Sequence, residues 1–318
     1  LIDATNYLNH YYLVCLLGFL LIFLPAHHDL SLDVYFKRIK RRSLVPAWTI
    51  NIIIAQLTMV YFFAGLAKLN SDWLFHALPL AIWLPEHQEL PLLGMLFKYK
   101  WAAYLFSWAG ALYDLTIAFF LMNKFTRPFA YVGVIFFHVM TWLLFNIGLF
   151  PFIMIFSTLI FFPARFHEKW LGWIGYKKSN SAVLDFSKKK KQFAAALLGA
   201  YFLIQLALPF RYLMYPGHLL WSEEGYRFSW RVMLVEKIGQ ATFYVEDAAT
   251  DRKSEVVNGD YLSRFQEKQM SIQPDFILQF AHFLGDEYRR KHGFVEPAVR
   301  VDAHVALNGR TSHPFIDP

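Results

Sequence analysis

Long apolar runs separated by short polar connections occupy the first two thirds of the chain. Six of these runs approach or reach the roughly 17–25 residues that a helix needs to cross a bilayer. They are Tyr11 to Ala26, Trp48 to Ala67, Ala103 to Met122, Pro128 to Phe145, Gly148 to Phe162 and Phe193 to Phe210. The pattern predicts a multi-pass α-helical membrane protein built as a helical bundle. Because the chain opens on Leu1, we also expect an earlier segment to be missing.

The last hundred residues carry the shorter periodicities of a water-exposed domain. Phe228 to Glu236 and Gln240 to Glu246 predict two strands joined by a short turn, and a charged stretch then leads to a third, weak strand. Ile272 to Lys291 predicts a helix with a basic end, and Pro297 to Leu307 alternates strictly, as a strand does. These elements predict a small α+β, β-rich C-terminal domain.

Basic residues concentrate in the connections between the apolar runs. Five of the six residues from Lys37 to Arg42 are basic, Lys124 and Arg127 lie in the turn between the third and fourth runs, and Lys188 to Lys191 precede the sixth. Cytoplasmic loops of membrane proteins are enriched in lysine and arginine. If all three connections are cytoplasmic, successive helices cross the membrane in opposite directions without conflict. The C-terminal domain then lies on the extracytoplasmic side.

Composition agrees with a location in the lipid bilayer. The 318 residues are 56% hydrophobic and 19% aromatic, which is too apolar for an ordinary soluble domain. The loops account for the net charge of +7, so no nucleic-acid partner is expected. Scattered histidines lack a ligand spacing, so we expect no metal site. We therefore predict a transmembrane domain over residues 1–211 and an extracytoplasmic domain over 212–318.

Five polar side chains lie within or at the ends of the predicted spans. A charge at mid-bilayer costs a few kcal/mol, so such residues turn inward and find partners. They are His10 at the start of the first span, Lys68 at the end of the second, Asp114 near the middle of the third, His138 near the middle of the fourth and Asn146 at the end of the fourth. Each alone has a structural explanation. Together they predict a polar cavity near the outer side of the bundle.

Lys68 has two possible roles. A lysine at the end of a span usually lays its stem along apolar surface and reaches water with its ammonium group. Alternatively, a desolvated pocket disfavours the charged form, and a neutral amine can act as a general base. Phe62, Phe63, Leu66 and Leu69 are the neighbours that we expect to form such a pocket.

Several ordered stretches resemble the vitamin K-dependent gamma-glutamyl carboxylases and their bacterial relatives in the horizontally transferred transmembrane (HTTM) group. The phrase AG-x-x-K-x-x-x-DW is fairly specific, and an asparagine-histidine pair opens a preceding span. The similar stretches are YLNHYYLVCLLGFLLIF, QLTMVYFFAGLAKLNSDW, FHVMTWLLFNIGLFPF, GYRFSWRVMLVE and EPAVRVDAHVALNGRTSHPFIDP, which together extend over nearly the whole chain.

The resemblance implies an activity and a set of residues. Family members oxygenate reduced vitamin K (the hydroquinone) with O2 to the epoxide. The strong base formed in this way deprotonates a peptide glutamate, which adds CO2 to give gamma-carboxyglutamate. The matching catalytic positions are Lys68 as the base, His10, His138 and Tyr226. The residues expected to bind the quinol are Asn9, Tyr61, Asn146, Asp114 and Trp73.

The expected partners are a glutamate-containing protein or peptide and the lipid bilayer, and the oligomeric state stays open. Two alternatives also stay open. One is a membrane oxidoreductase that epoxidises a quinol without carboxylating glutamate. The other is a membrane scaffold without enzymatic activity, in which Lys68 only reaches toward water. The sequence also departs from the animal members, because Tyr212 stands where they have histidine and Pro314 where an arginine is expected.

Overall fold

Apolar helices form the N-terminal part of the structure, a computed structural model that describes residues 3–179 and 182–316. Four helical stretches are long and apolar enough to cross a membrane, and two bent helix pairs raise the number to six if each pair is one span. The bend after the first helix is 65°, and the bend after Phe161 is 111°. The helices are α1 Asn9–Phe23, α2 Leu32–Tyr35, α3 Ala47–Ala67, α4 Ser71–His76, α5 Leu80–Trp83, α6 Lys100–Met122, α7 Arg127–Leu144, α8 Phe150–Ser157, α9 Ala164–Gly172 and α10 Lys188–Ala207.

The predicted fold class is confirmed, since a small antiparallel sheet follows the helices. The elements of this part are α11 Leu219–Ser222, β1 Lys237–Asp247, β2 Lys253–Glu255, α12 Arg264–Met270, α13 Pro274–Lys291, β3 Pro297–Leu307 and β4 His313–Pro314. The strand order in the sheet is β2-β1-β3-β4, and β1 pairs with β3 along its whole length, from Lys237 opposite Leu307 to Asp247 opposite Pro297. The proposed boundary at residue 211 stays a prediction.

The strand predicted from Phe228 to Glu236 is wrong. This segment is irregular in the structure, and β1 begins only at Lys237, in what was expected to be a turn. Phe228, Trp230 and Met233 have positive φ angles, between 58° and 64°. Such angles do not fit a β-ladder. Residues other than glycine adopt them only where tertiary contacts offset the steric strain of the backbone. Trp230 provides such contacts, because it is 1% exposed within the core of the bundle.

Helices α3 and α6 pack closely at Gly65. A Cβ atom on Gly65 would lie 2.6 Å from the backbone nitrogen of Leu115, closer than a real Cβ approaches a neighbour. Small residues allow membrane helices to approach closely, and α6 presents Ser107, Gly110, Ala111 and Ala118 as buried small residues. This packing brings the end of α3 beside the middle of α6.

A carboxylate connects the bundle to the C-terminal sheet. Asp72, in α4, accepts hydrogen bonds from both terminal nitrogens of Arg310, at 2.6 and 2.9 Å, and from Asn308 at 2.8 Å. Burial by itself would raise the pKa of Asp72, but the hydrogen bonds from Arg310 and Asn308 outweigh it and lower the pKa. On the same side, Trp83 donates to the Glu236 carboxylate at 2.7 Å.

Replacing Gly65 by alanine tests the packing of α3 on α6. Alanine favours helix formation by roughly 1 kcal/mol over glycine, but here its methyl group must push the helices apart, at a cost of about 1–3 kcal/mol. We expect Gly65→Ala to lower the thermal unfolding midpoint of the purified protein. Gly18→Ala is the matched control, because its added Cβ would meet no side chain and no other element within 4 Å, and we expect no loss there. Equal midpoints for the two variants would contradict the close packing.

Candidate active site

An ion pair is buried where α3 ends against α6. The Lys68 Nζ lies 2.8 Å from the Asp114 Oδ2, and both residues are 6% exposed. The ammonium group also lies 3.4 Å from the Ala64 carbonyl oxygen and 5.2 Å from the centre of the Trp73 ring. Lys68 is therefore held inside the protein and does not reach toward water.

The surroundings of Lys68 differ from the pocket that we expected. Phe62 and Leu69 are 39% and 49% exposed, and they do not line the cavity that holds Lys68. Neither Phe63 nor Leu66 lines that cavity; both line a pocket on the other side of α3. The reason is helical geometry: Lys68 lies over Ala64, one turn earlier, and shares its face. The nearest polar partner is the Asp114 carboxylate, so the lysine is paired and not merely desolvated.

A second polar pair lies in the same cavity. The Tyr61 hydroxyl and the His138 Nε2 are 3.1 Å apart, and these residues are 2% and 1% exposed. The other ring nitrogen of His138, Nδ1, is buried and has no hydrogen-bond partner among the described residues. A buried polar atom without a partner is costly, so this nitrogen is suited to a ligand that donates or accepts a hydrogen bond.

The rest of the cavity is mostly apolar. Its walls come from α1, α3, α6, α7 and α8, from Trp73 in α4 and Leu80 in α5, from the residues just after α7, and from the irregular segment that contains Trp230, Val232 and Met233. Ligand sites of this kind combine apolar walls with a few polar groups that fix orientation. The arrangement suits an apolar ligand that carries a few polar groups.

Six of the nine residues proposed from the sequence line this cavity. They are Asn9, Tyr61, Lys68, Trp73, Asp114 and His138. Asp114 was expected among the residues that bind the quinol, and the structure places it as the counter-ion of Lys68. In the described residues, no group of three or more histidine, cysteine, aspartate or glutamate side chains could hold a metal ion.

The other three proposed residues lie outside the cavity lining. His10 is 6% exposed, and its ring centre is 5.9 Å from that of Phe150, which lines the cavity. Asn146 is exposed, although both of its neighbours in sequence line the cavity. Tyr226 packs beside the cluster that contains Trp73 and Leu234. Their proposed roles stay predictions.

The segment from Trp230 to Met233 was missed as part of the site. It was interpreted as a strand, and a strand in a separate domain has no reason to enter the bundle. The feature of the sequence that could have indicated burial in the bundle is the tryptophan within FSWRVM. A hydrogen bond of 2.7 Å, from the Asn9 side chain to the Arg231 carbonyl oxygen, holds this segment against the start of α1.

Two family models match this chain, one over the helical bundle and one over the C-terminal part. The family model of the HTTM domain matches residues 1–166. The model of the vitamin K-dependent gamma-carboxylase, lumenal domain, matches residues 190–318. The two matches include both the cavity in the bundle and the C-terminal sheet. No solved structure matches the chain.

A double-mutant cycle on Lys68 and Asp114 tests the buried pair. Lys68→Met or Asp114→Leu alone leaves one buried charge without its partner, and we expect each to lower stability by about 3–5 kcal/mol. Together the two changes remove both charges and replace the side chains by apolar ones of similar volume. The double variant should therefore unfold at nearly the wild-type temperature. Thermal unfolding of the four purified proteins measures this. Additive losses in the double variant would show that the two groups do not depend on each other.

Proposed function

The chain belongs to the family of HTTM-domain vitamin K-dependent gamma-carboxylases, and from this premise we propose that it couples hydroquinone epoxidation to glutamate carboxylation. The substrates are reduced vitamin K, O2, CO2 and a glutamate in a protein or peptide. The products are the epoxide, water and gamma-carboxyglutamate. The observation that supports this proposal most directly is the buried Lys68–Asp114 pair in an apolar cavity.

Lys68 acts as the base toward a hydroquinone hydroxyl. Within the pair, the proton can move along the 2.8 Å hydrogen bond from the ammonium group to the Asp114 carboxylate. This leaves a neutral amine and a neutral acid, so the transfer creates no uncompensated charge in the apolar surroundings. The neutral amine then accepts the hydroxyl proton. No proton has to cross to water in this step.

The Tyr61–His138 pair orients the substrate. Its 3.1 Å hydrogen bond fixes the ring of His138, and the buried Nδ1 is the atom that remains for the second polar edge of a hydroquinone. The apolar walls exclude water, which would otherwise quench the strong base that removes the glutamate proton. Trp73, with its ring 5.2 Å from the lysine Nζ, completes the wall beside the base.

The C-terminal domain lies on the extracytoplasmic side in this proposal. The basic connections support that orientation, because they fall on the opposite ends of the spans. Tyr226, on the same side, is a candidate for the glutamate step. Burial raises the pKa of its phenol, the nearby Glu223 raises the pKa further, and the Arg231 guanidinium opposes the change.

The proposal is tested with purified protein, reduced vitamin K, O2, labelled bicarbonate and a glutamate peptide. A positioned acid or base typically contributes a factor of about 10²–10⁴ in rate, so we expect Lys68→Ala to lower epoxide formation at least about a hundredfold. Because this change leaves Asp114 without its partner, the double variant Lys68→Met/Asp114→Leu is assayed beside it and should be equally inactive while folded.

Lys100→Ala is the matched control, since this lysine is exposed at the start of α6 and should keep full activity. Undiminished epoxidation in Lys68→Ala would reject Lys68 as the base. Epoxide formation without incorporation of labelled CO2 would instead support a quinol-epoxidising oxidoreductase that lacks the glutamate step. Absence of both products in the wild type would favour a non-enzymatic membrane protein.

A further inference from the structure

A pocket lies at the basic end of the bundle, between the end of α1, the start of α3 and the start of α10. Its apolar walls include Phe23, Trp48, Phe186, Phe193 and Leu197. The three consecutive lysines from Lys189 to Lys191 also line it, and no acidic residue of the described ranges does. It shares no residue with the cavity that holds Lys68. This end of the bundle therefore offers a second site that combines cations with apolar surface.

Basic residues outnumber acidic ones at this end of the bundle. The connections and helix ends over residues 24–46, 123–127 and 162–191 contain fifteen lysines and arginines but four acidic residues. Each of the four has a basic partner in the structure: Asp29 with Arg41, Asp33 with Arg38, Glu168 with Lys178 and Asp185 with Lys191. Lys189 and Lys190 therefore have no acidic partner within ion-pair distance in the part of the chain that the structure describes.

The first half of α10 packs loosely against the rest of the bundle. Of the twenty residues of this helix, the buried ones are Leu198, Tyr201 and Gln205, which all lie in its second half. The apolar side chains that face the pocket are open, since Phe193 is 67% exposed and Phe23 is 41% exposed. In a bilayer, apolar surface between spanning helices is covered by acyl chains, because contact with water would be unfavourable.

We propose that this pocket binds a phospholipid with an anionic headgroup, whose phosphate lies at Lys189 to Lys191 and whose acyl chain lies along Phe23, Phe193 and Leu197. Lysine binds phosphate as a compact point charge, and basic clusters beside a spanning helix attract anionic lipids. The lysines also occupy the first turn of α10, where the helix dipole disfavours cations. A bound anion offsets that repulsion. The inference does not depend on the proposed reaction.

Native mass spectrometry tests this proposal with the purified protein in detergent micelles. The protein is titrated with dioleoylphosphatidylglycerol, which is anionic, or with dioleoylphosphatidylcholine, which has the same chains and no net charge. A basic residue near anionic lipid contributes about a fivefold gain in binding, so we expect the wild type to prefer phosphatidylglycerol by about tenfold or more. The triple variant Lys189→Gln/Lys190→Gln/Lys191→Gln should reduce that preference to less than about twofold.

The matched control is Lys37→Gln/Lys40→Gln/Lys177→Gln, because these three lysines are also exposed at the basic end of the bundle but do not line the pocket. It removes the same charge and should keep the wild-type preference. An equal loss in both triple variants would overturn the pocket in favour of general attraction, and a wild type without preference would overturn the proposal outright. If the first variant does not fold, an undiminished preference in Lys190→Gln alone would overturn it.

Competition with glycerol 3-phosphate distinguishes a lipid site from a site for free phosphate compounds. This molecule carries a phosphate on glycerol, as the lipid does, but it has no acyl chains to lie along the apolar walls. At about a hundredfold excess it should leave phosphatidylglycerol bound to the wild type. Displacement of the lipid under these conditions would overturn the proposal and indicate a site that recognises phosphate alone.

Discussion

The ion pair between Lys68 and Asp114 is the interaction on which the rest of the site depends. Two charges can stay at 6% exposure in an apolar bundle only if they neutralise each other, and at 2.8 Å they do. That distance requires the end of α3 to meet the middle of α6, and Gly65 allows this because it has no side chain at the contact. Helix packing thus determines where the base lies.

The next residues of the chain extend this arrangement to the C-terminal domain. Trp73 donates to the Ser107 carbonyl oxygen at 2.7 Å, which fixes α4 on α6. Asp72, adjacent to it, is bound by Arg310 and Asn308 at the end of β3. A few residues after Lys68 therefore connect the base, the bundle and the sheet.

The sequence predicted what depends on local patterns and missed what depends on tertiary contacts. Apolar runs predict spanning helices because hydropathy is a property of each run, and the alternation of Pro297 to Leu307 matched the bounds of β3. The partner of Lys68 could not be predicted, since Asp114 lies 46 positions away and the contact exists only after packing. The segment from Phe228 to Glu236 alternates like a strand, but the burial of Trp230 in the bundle overrides that tendency.

One segment forms a wall of two different pockets. Trp230 and Val232 line the apolar cavity that holds Lys68, whereas Ser229 and Arg231 line the pocket on the other side of α3. The arginine of this segment therefore lies outside the cavity. A second cation inside the cavity would disturb the balance between Lys68 and Asp114, because it would favour the ionised form of the carboxylate. The backbone of the segment, which adopts positive φ angles, allows successive side chains to face these two different environments.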